Sequence, residues 1–276
     1  MNGPTLLGLA TGVCVASMSV IWLIGRRLRN YSFVDLAWSA HFAVLALLYG
    51  LLGPGWPARR LLIGGMYALW SLRLAFHLGR RIIGEPEEGR YVSLREAWSR
   101  GGNVDLKFFG FFQLQGALNV FLSLPLLAAA LNPAPRFSWL EWLAVLVFTV
   151  GLTGEAAADE TLARFKADPA NRGKVCDRGL WRYSRHPNYF FEWTIWVAYA
   201  LFALASPPLG YAGLLMPPLM LHFLLNVTGI KATEEQSLKS RGEAYRTYQE
   251  RTSAFVPWPP RRRHSVPPSP EPENTP

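Results

Sequence analysis

The sequence predicts an all-α protein, a polytopic membrane bundle of about seven transmembrane helices. Half of its 276 residues are hydrophobic and only 17% are charged, whereas soluble domains devote about a quarter of their residues to charge. Apolar runs of roughly 20 residues, the length that crosses about 30 Å of hydrocarbon, recur along the chain. These two observations exclude a soluble globular protein.

Seven apolar segments are the predicted spans. They cover residues 5–25, 33–53, 61–79, 107–131, 138–158, 189–206 and 210–230. No Lys or Arg precedes the first segment, so we expect a true first span rather than a cleaved signal peptide. Pro217 and Pro218 in the last segment are compatible with a membrane helix, because neighbouring helices satisfy the carbonyls that a proline frees.

The basic residues predict the orientation of the spans. Four stretches contain 24 of the 28 Lys and Arg residues: Arg26–Arg29, Arg80–Lys107, Arg164–Arg185 and the chain from Lys231 onward. Because basic loops stay in the cytoplasm, we expect the N-terminus outside and the C-terminus in the cytoplasm. This placement also explains the net charge of +9 without a nucleic-acid partner.

A single transmembrane domain is expected over residues 1–258, because no long polar segment separates the apolar runs. Residues 259–276 are rich in proline and charge, which predicts a disordered tail that rests on anionic lipid. Cys14 and Cys176 show no paired spacing, so no disulfide framework is expected. The histidines are scattered and no metal-binding motif occurs, so no metal is expected.

The densest group of polar residues runs from Arg178 to Glu192. Pro187 is acceptable only in the first turn of a helix, so a helix is predicted to start near 184–188 with Ser184 as a candidate cap. Free amides at that helix start and nearby arginines form an anion site suited to phosphate. Asn188 and Glu192 lie on one helical face, where they can hold a polar ring or a carboxamide. The alternative is a positive-inside loop with ordinary capping.

The stretch 179–192, Gly-Leu-Trp-Arg-Tyr-Ser-Arg-His-Pro-Asn-Tyr-Phe-Phe-Glu, resembles the signature of the steroid 5-alpha-reductase C-terminal superfamily, in the bacterial branch known as DUF1295. Residues 242–257 are similar to the C-terminal pattern of that family, as are Ala158-Asp159 and Phe165-Lys166. The similarity is clear over about residues 150–258, the expected cofactor half. It is weaker in Tyr31–Trp38 and Arg90-Tyr91.

The resemblance implies a seven-helix protein of the bacterial inner membrane that uses NADPH to reduce a carbon-carbon double bond in a lipid or steroid-like enone. By this resemblance, Asn188 and Glu192 would hold the nicotinamide. The other cofactor residues that it implies are Asp159, Lys166, Lys174, Arg178, Arg182, Tyr183, Arg185, His186 and Tyr189. The family has Gly where this chain has Phe191, which would narrow the pocket or face lipid.

The reduction also requires a donor for the negative charge that develops on the substrate. Tyr91 is the first choice, because a phenol stays protonated near neutral pH. Glu88, His41, Asp35 and Gln115 are the other candidates in the first half of the chain.

Two other functions remain open. Arg185-His186-Pro187-Asn188-Tyr189 and Glu234-Glu235 also resemble the isoprenylcysteine and phospholipid methyltransferases, which use S-adenosylmethionine. Asn188 and Glu192, together with Asp159 and Lys166, favour the reductase. The third function is a non-catalytic lipid-binding protein. Residues 233–236 match a capping box, so Glu235 either starts the terminal helix or closes the cofactor pocket.

Overall fold

The computed structural model describes residues 1–227 and 229–261. These residues form α-helices, 3₁₀ turns and a short π-helical turn, with no β-strand among them, which confirms the all-α prediction. The α-helices are α1 (Gly3–Leu28), α2 (Phe33–Leu52), α3 (Pro57–Ile82), α4 (Gly89–Ser99), α5 (Val104–Leu122), α6 (Leu124–Leu131), α7 (Trp139–Ala167), α8 (Pro187–Ala203), α9 (Met216–His222), α10 (Ile230–Arg241) and α11 (Glu243–Arg251). Most of the expected disordered tail, from residue 262 onward, lies outside the described residues.

Local sequence sets several helix ends. α1 begins after Asn2, whose side-chain oxygen accepts a hydrogen bond from the amide of Thr5 at 3.0 Å. α5 begins after Asn103, which caps the amide of Leu106 in the same way at 3.2 Å. Pro125 stands in the first turn of α6, where its missing amide costs no helical hydrogen bond, and the break before it separates α6 from α5.

Six segments within the described residues are long and apolar enough to cross a membrane, which indicates an integral multi-pass membrane protein. They are Gly3–Leu28, Phe33–Leu52, Pro57–Ile82, Val104–Leu131, Trp139–Ala167 and Leu209–Val227. Each overlaps one of the predicted spans. The remaining predicted span, 189–206, corresponds to α8, a helix of only 17 residues. The count of seven and the orientation of the termini therefore stay predictions.

The chain divides into two compact units. The first contains residues 1–152 and 194–220, and the second contains residues 153–193 and the described residues from Leu221 onward. The expected cofactor half therefore corresponds to the second unit, except that residues 194–220 belong to the first.

Aromatic packing forms much of the core of the first unit. The rings of Tyr67 and Tyr199 stack with their centroids 3.8 Å apart, and the rings of Trp70 and Trp196 meet edge to face at 5.4 Å. Lipid tails are as apolar as these side chains, so the hydrophobic effect does not drive membrane helices together. Close packing of this kind supplies the attraction between them instead.

A buried ion pair also connects elements of the first unit. Arg59 Nε lies 2.6 Å from Glu141 Oε1, and the two side chains are 2% and 0% exposed. The same guanidinium donates to the carbonyl oxygens of Ala134 and Arg136, each at 2.6 Å. Glu141, at the start of α7, is thereby tied to α3 and to the connection that precedes α7.

The second unit has a smaller core around Phe165, Cys176 and Trp181. Trp181 lies in a 3₁₀ turn, Gly179–Arg182, and its indole Nε1 donates to the carbonyl oxygen of Ala158 at 2.8 Å. This hydrogen bond anchors the turn to α7. The turn begins at Gly179, whose φ of 54° lies in the left-handed region that favours glycine.

Candidate functional site

The polar residues that precede α8 are held by the backbone of the second unit. α8 begins at Pro187, inside the predicted window. Ser184 Oγ accepts from the amide of His186 at 3.1 Å and donates to the carbonyl oxygen of Phe255 at 2.7 Å. The Ser184 hydroxyl, which was predicted to cap α8, thus stabilises the turn before this helix and binds the segment that contains Phe255.

Asn188 pairs with Asp159 across α8 and α7. Asn188 Nδ2 donates to Asp159 Oδ1 at 3.3 Å. The amino group must face the carboxylate, because an ionised carboxylate only accepts hydrogen bonds. The structure therefore brings together two residues that the family resemblance placed at the cofactor.

The side-chain carbonyl oxygen of Asn188, Oδ1, can still accept a hydrogen bond from a ligand. Oδ1 is buried and accepts no hydrogen bond from any described residue. A buried acceptor without a donor costs about 1–3 kcal/mol, so native proteins keep few of them. Glu192, on the next turn of α8, is half-buried, and Glu155 on α7 is 3% exposed. Two carboxylates thus lie on the same pair of helices as Asn188.

The side chains of Arg185 and His186 both contact the carboxylate of Glu234. Arg185 Nε lies 2.6 Å from Glu234 Oε1, and His186 Nε2 lies 3.3 Å from the same oxygen. Gln249 Nε2 donates to the other carboxylate oxygen at 2.8 Å. Arg185 Nη1 also donates to the carbonyl oxygens of Gln249 and Thr252, at 2.9 and 2.6 Å. We call these four side chains, Arg185, His186, Glu234 and Gln249, the Glu234 cluster.

The cluster keeps Glu234 ionised. Burial alone would raise the pKa of this carboxyl, but hydrogen bonds from His186 and Arg185 and the charge of Arg185 outweigh burial and lower the pKa to about 2. Glu234 is therefore an anion at neutral pH that joins the start of α8 to α10 and α11.

Glu235, the predicted cofactor residue next to Glu234, is exposed. The predicted capping box is wrong, because α10 begins at Ile230, after Gly229, and Thr233 lies inside the helix. The Thr233 hydroxyl donates to the carbonyl oxygen of Gly229 at 2.9 Å instead. Glu234 and Glu235 differ only in the direction in which each side chain leaves the helix. The sequence shows two adjacent carboxylates but does not indicate which of them faces Arg185.

The remaining predicted cofactor residues lie mostly at the surface of the second unit. Those that are exposed are Lys166, Lys174, Arg178, Arg182 and Tyr183. The guanidinium of Arg178 lies 5.4 Å from the centre of the Phe165 ring. Tyr189 is half-buried and its ring stacks on that of His186 with centroids 5.4 Å apart. Lys174 borders a surface cavity of 260 Å³ that Asp177, Tyr248 and Arg251 also line.

The candidate proton donor Tyr91 lies in the first unit. It is 2% exposed, in α4, and its hydroxyl donates to Asp35 Oδ1 at 2.7 Å. Arg90 also pairs with Asp35. Burial, followed by the negative charge of Asp35, raises the pKa of Tyr91 well above the ordinary tyrosine value, so the phenol remains neutral.

Glu88, the second catalytic candidate, is an ion-paired carboxylate beside this group. Its oxygens lie 2.8 Å from Arg81 Nη2 and 3.4 Å from Arg90 Nε. Its amide donates to Ser32 Oγ at 2.9 Å. Ser32 precedes α2 but its hydroxyl caps no helical amide. Glu88 therefore holds Arg90 and the segment before α4.

Comparisons with known proteins identify a family but no activity. An uncharacterized protein of Schizosaccharomyces pombe is 27% identical over 287 aligned positions, which cover 93% of this chain and 80% of the yeast protein. No solved structure matches the chain. The family described as a protein of unknown function, DUF1295, matches residues 21–252. Because this match covers most of the sequence, the chain belongs to the DUF1295 family.

Proposed function

We propose that this chain is a membrane oxidoreductase that uses NADPH to reduce a carbon-carbon double bond of a lipid or steroid-like enone. The resemblance of residues 179–192 to the steroid 5-alpha-reductase C-terminal superfamily supports this reaction class. The observation that carries the proposal is the buried, unpartnered Oδ1 of Asn188. We further propose that the enzyme crosses the bacterial inner membrane seven times, with its C-terminus in the cytoplasm.

The residues around Asn188 fit a nicotinamide. The carboxamide of that ring carries an amino group, which is the donor that Asn188 Oδ1 lacks. Asp159 orients Asn188, because it accepts from Nδ2 at 3.3 Å and so leaves Oδ1 for the ligand. Glu192 lies on the same face of α8, one turn after Asn188. When bound, NADPH would supply the hydride.

The cations divide into two roles. Lys174, Arg178 and Arg182 are exposed, and we propose that they contact the phosphate groups of the nucleotide. Arg185 and His186 act differently, because their donors bind Glu234. We assign them to positioning, since they hold the turn that leads into Asn188.

Tyr91 is the proposed proton donor. Its raised pKa keeps the phenol protonated, and a neutral phenol donates a hydrogen bond to negative charge that develops on a substrate oxygen. The phenol has a single O–H, which donates to Asp35 Oδ1 at 2.7 Å in this structure, so the hydroxyl would turn from Asp35 to the substrate oxygen for this step.

Equilibrium binding of NADPH and of S-adenosylmethionine to the purified protein in detergent tests the proposal. We expect NADPH to bind, and we expect Asn188→Ala and Glu192→Gln each to weaken binding at least tenfold, about 1.4 kcal/mol. Glu160→Gln is the matched control, because Glu160 is exposed and pairs with Arg164 on the next turn. Its affinity should stay within twofold of the unmodified protein.

The same measurements separate the other functions. Binding of S-adenosylmethionine alone would eliminate the reductase and favour the methyltransferase. Unchanged affinity in both Asn188→Ala and Glu192→Gln would contradict the assigned site. Bound NADPH should be oxidised when a lipid extract that contains enones is added, and no oxidation across a broad extract would favour a non-catalytic binder.

A further inference from the structure

The ring of Phe191 fills the space in front of Gly154. A Cβ atom added at Gly154 would lie 2.5 Å from Cε1 and from Cγ of Phe191, closer than real Cβ atoms approach a neighbour. Gly154 therefore forms a notch in α7 that receives the ring from α8. Small residues let membrane helices approach closely in this way.

This notch belongs to the same helix contact as the Asp159–Asn188 pair. Along α7, Gly154 precedes Asp159 by five residues, and along α8, Phe191 follows Asn188 by three. The two contacts thus run in opposite directions along the helices, as antiparallel neighbours require. At about 1.5 Å of rise per residue, they are roughly 5–8 Å apart along the helix axes.

Because the contact between Phe191 and Gly154 is so near to Asn188, it affects the position of the Asn188 side-chain amide. Protein interiors are close-packed, so a change of one methyl group is transmitted to neighbouring atoms rather than absorbed by empty space. The hydrogen bond between Asn188 and Asp159, at 3.3 Å, is already near the long end of the range and has little tolerance for helix separation. From the sequence, Phe191 was expected either to narrow a pocket or to face lipid. The ring against Gly154 provides a third.

We infer that Phe191 and Gly154 are a positioning pair that sets the spacing of α7 and α8 and thereby holds Asn188 where a ligand can reach its Oδ1. This inference rests on the proposed function for its ligand, but the packing contact does not depend on it. Neither residue touches the ligand in this assignment, and both act through Asn188.

A cycle of substitutions tests the pair through the dissociation constant of NADPH. Gly154→Ala puts a methyl group into the ring, so the helices must move apart and the dissociation constant should rise at least tenfold. Phe191→Ala empties the notch and should raise it about threefold. In the double variant the methyl group occupies the space that the ring has left, and affinity should return to within threefold of the unmodified protein. Gly12→Ala in α1 is the matched control, because a Cβ there meets nothing within 4 Å.

Two further measurements separate positioning from a general loss of stability. In an Asn188→Ala background, Gly154→Ala should raise the dissociation constant by less than twofold, because the residue through which it acts is gone. Melting temperatures without NADPH should show the same rescue in the double variant. If Gly154→Ala does not fold, Phe191→Leu replaces it, and this variant should bind more tightly than Phe191→Ala because its side chain still fills part of the notch.

The outcomes are distinct. Unchanged affinity in Gly154→Ala, an undiminished effect in the Asn188→Ala background, or equal affinities of Phe191→Leu and Phe191→Ala would each overturn the positioning role. If the unmodified protein binds no NADPH, the proposed function fails and the positioning role fails with it. The melting temperatures would then still decide whether Gly154 and Phe191 are coupled.

Discussion

At the scale of single residues, two adjacent carboxylates in α10 have different surroundings. Glu234 receives hydrogen bonds from Arg185, His186 and Gln249, whereas Glu235 is exposed. Neighbouring positions on a helix point about 100° apart, so only one of the two can face the turn before α8. A substitution at Glu235 is therefore the matched control for the same substitution at Glu234.

Glu234→Gln should destabilise the protein, because Arg185 is only 11% exposed and would lose its counter-ion. We expect the free energy of unfolding to fall by about 2 kcal/mol at pH 7. The pKa of Glu234 is lowered from 4.5 to about 2, so its stabilisation is complete at neutral pH and is lost as the pH falls between these values. The difference between variant and unmodified protein should therefore narrow as the pH falls from about 5 toward about 3. Melting curves in detergent across this range measure it.

Glu235→Gln should change the free energy of unfolding by no more than about 0.5 kcal/mol at any pH, as is usual for surface positions. Equal losses in the two variants, or a difference that widens on acidification, would contradict the role of Glu234.

Tyr91→Phe removes one hydroxyl and should lower turnover of an enone substrate at least a hundredfold, the usual scale for a lost proton donor. NADPH affinity should remain within twofold. Because the pKa of Tyr91 is raised, no loss of activity from ionisation of this phenol is expected below about pH 10. Tyr31→Phe is the control, since Tyr31 is also buried and also donates to a carboxylate, that of Asp105 at 2.7 Å. Similar losses in the two variants would show a structural rather than a chemical role for Tyr91.

At the scale of elements, polar contacts between distant segments hold the helix ends of the first unit. Arg59 near the start of α3 and Glu141 near the start of α7 are both fully buried, and Arg59 also binds the chain that leads into α7. Buried pairs add little net stability relative to apolar residues, but loss of one partner leaves an uncompensated charge.

Arg59→Met should therefore lower the free energy of unfolding by about 3–5 kcal/mol. Arg59→Met with Glu141→Leu should recover part of this loss, because no buried charge remains. The recovery is incomplete because the carbonyls of Ala134 and Arg136 still lack their donor. Arg136→Met, at an exposed site, is the control. Unfolding in detergent measures all four proteins, and a double variant less stable than Arg59→Met would refute the explanation.

At the scale of the whole molecule, α8 determines the number of membrane crossings. It has 17 residues, at the lower limit for crossing the hydrocarbon region. The predicted orientation, with the N-terminus outside and the C-terminus in the cytoplasm, requires an odd number of crossings, and α8 is the helix that would make the number odd.

Labelling with an impermeant thiol reagent tests this topology. In a variant without Cys14 and Cys176, a cysteine at Pro207, in the connection between α8 and the segment Leu209–Val227, should react from outside intact cells, and a cysteine at Arg172 should react only after the cells are opened. Both positions are exposed, so burial does not prevent the reaction. Reaction of both from the same side would mean that α8 does not cross.

The sequence by itself determined the helical class, the membrane segments and the start of α8, because the length of an apolar run and the position of a proline depend only on neighbouring residues. It also marked Asn188 and Asp159, although their contact spans 29 positions of the chain. Only the tertiary structure decided that Glu234 rather than Glu235 binds Arg185, that Tyr91 donates to Asp35, and that Phe191 fits Gly154. Each of these depends on how helices rotate and pack against one another, and this geometry is set by contacts between residues far apart in the chain.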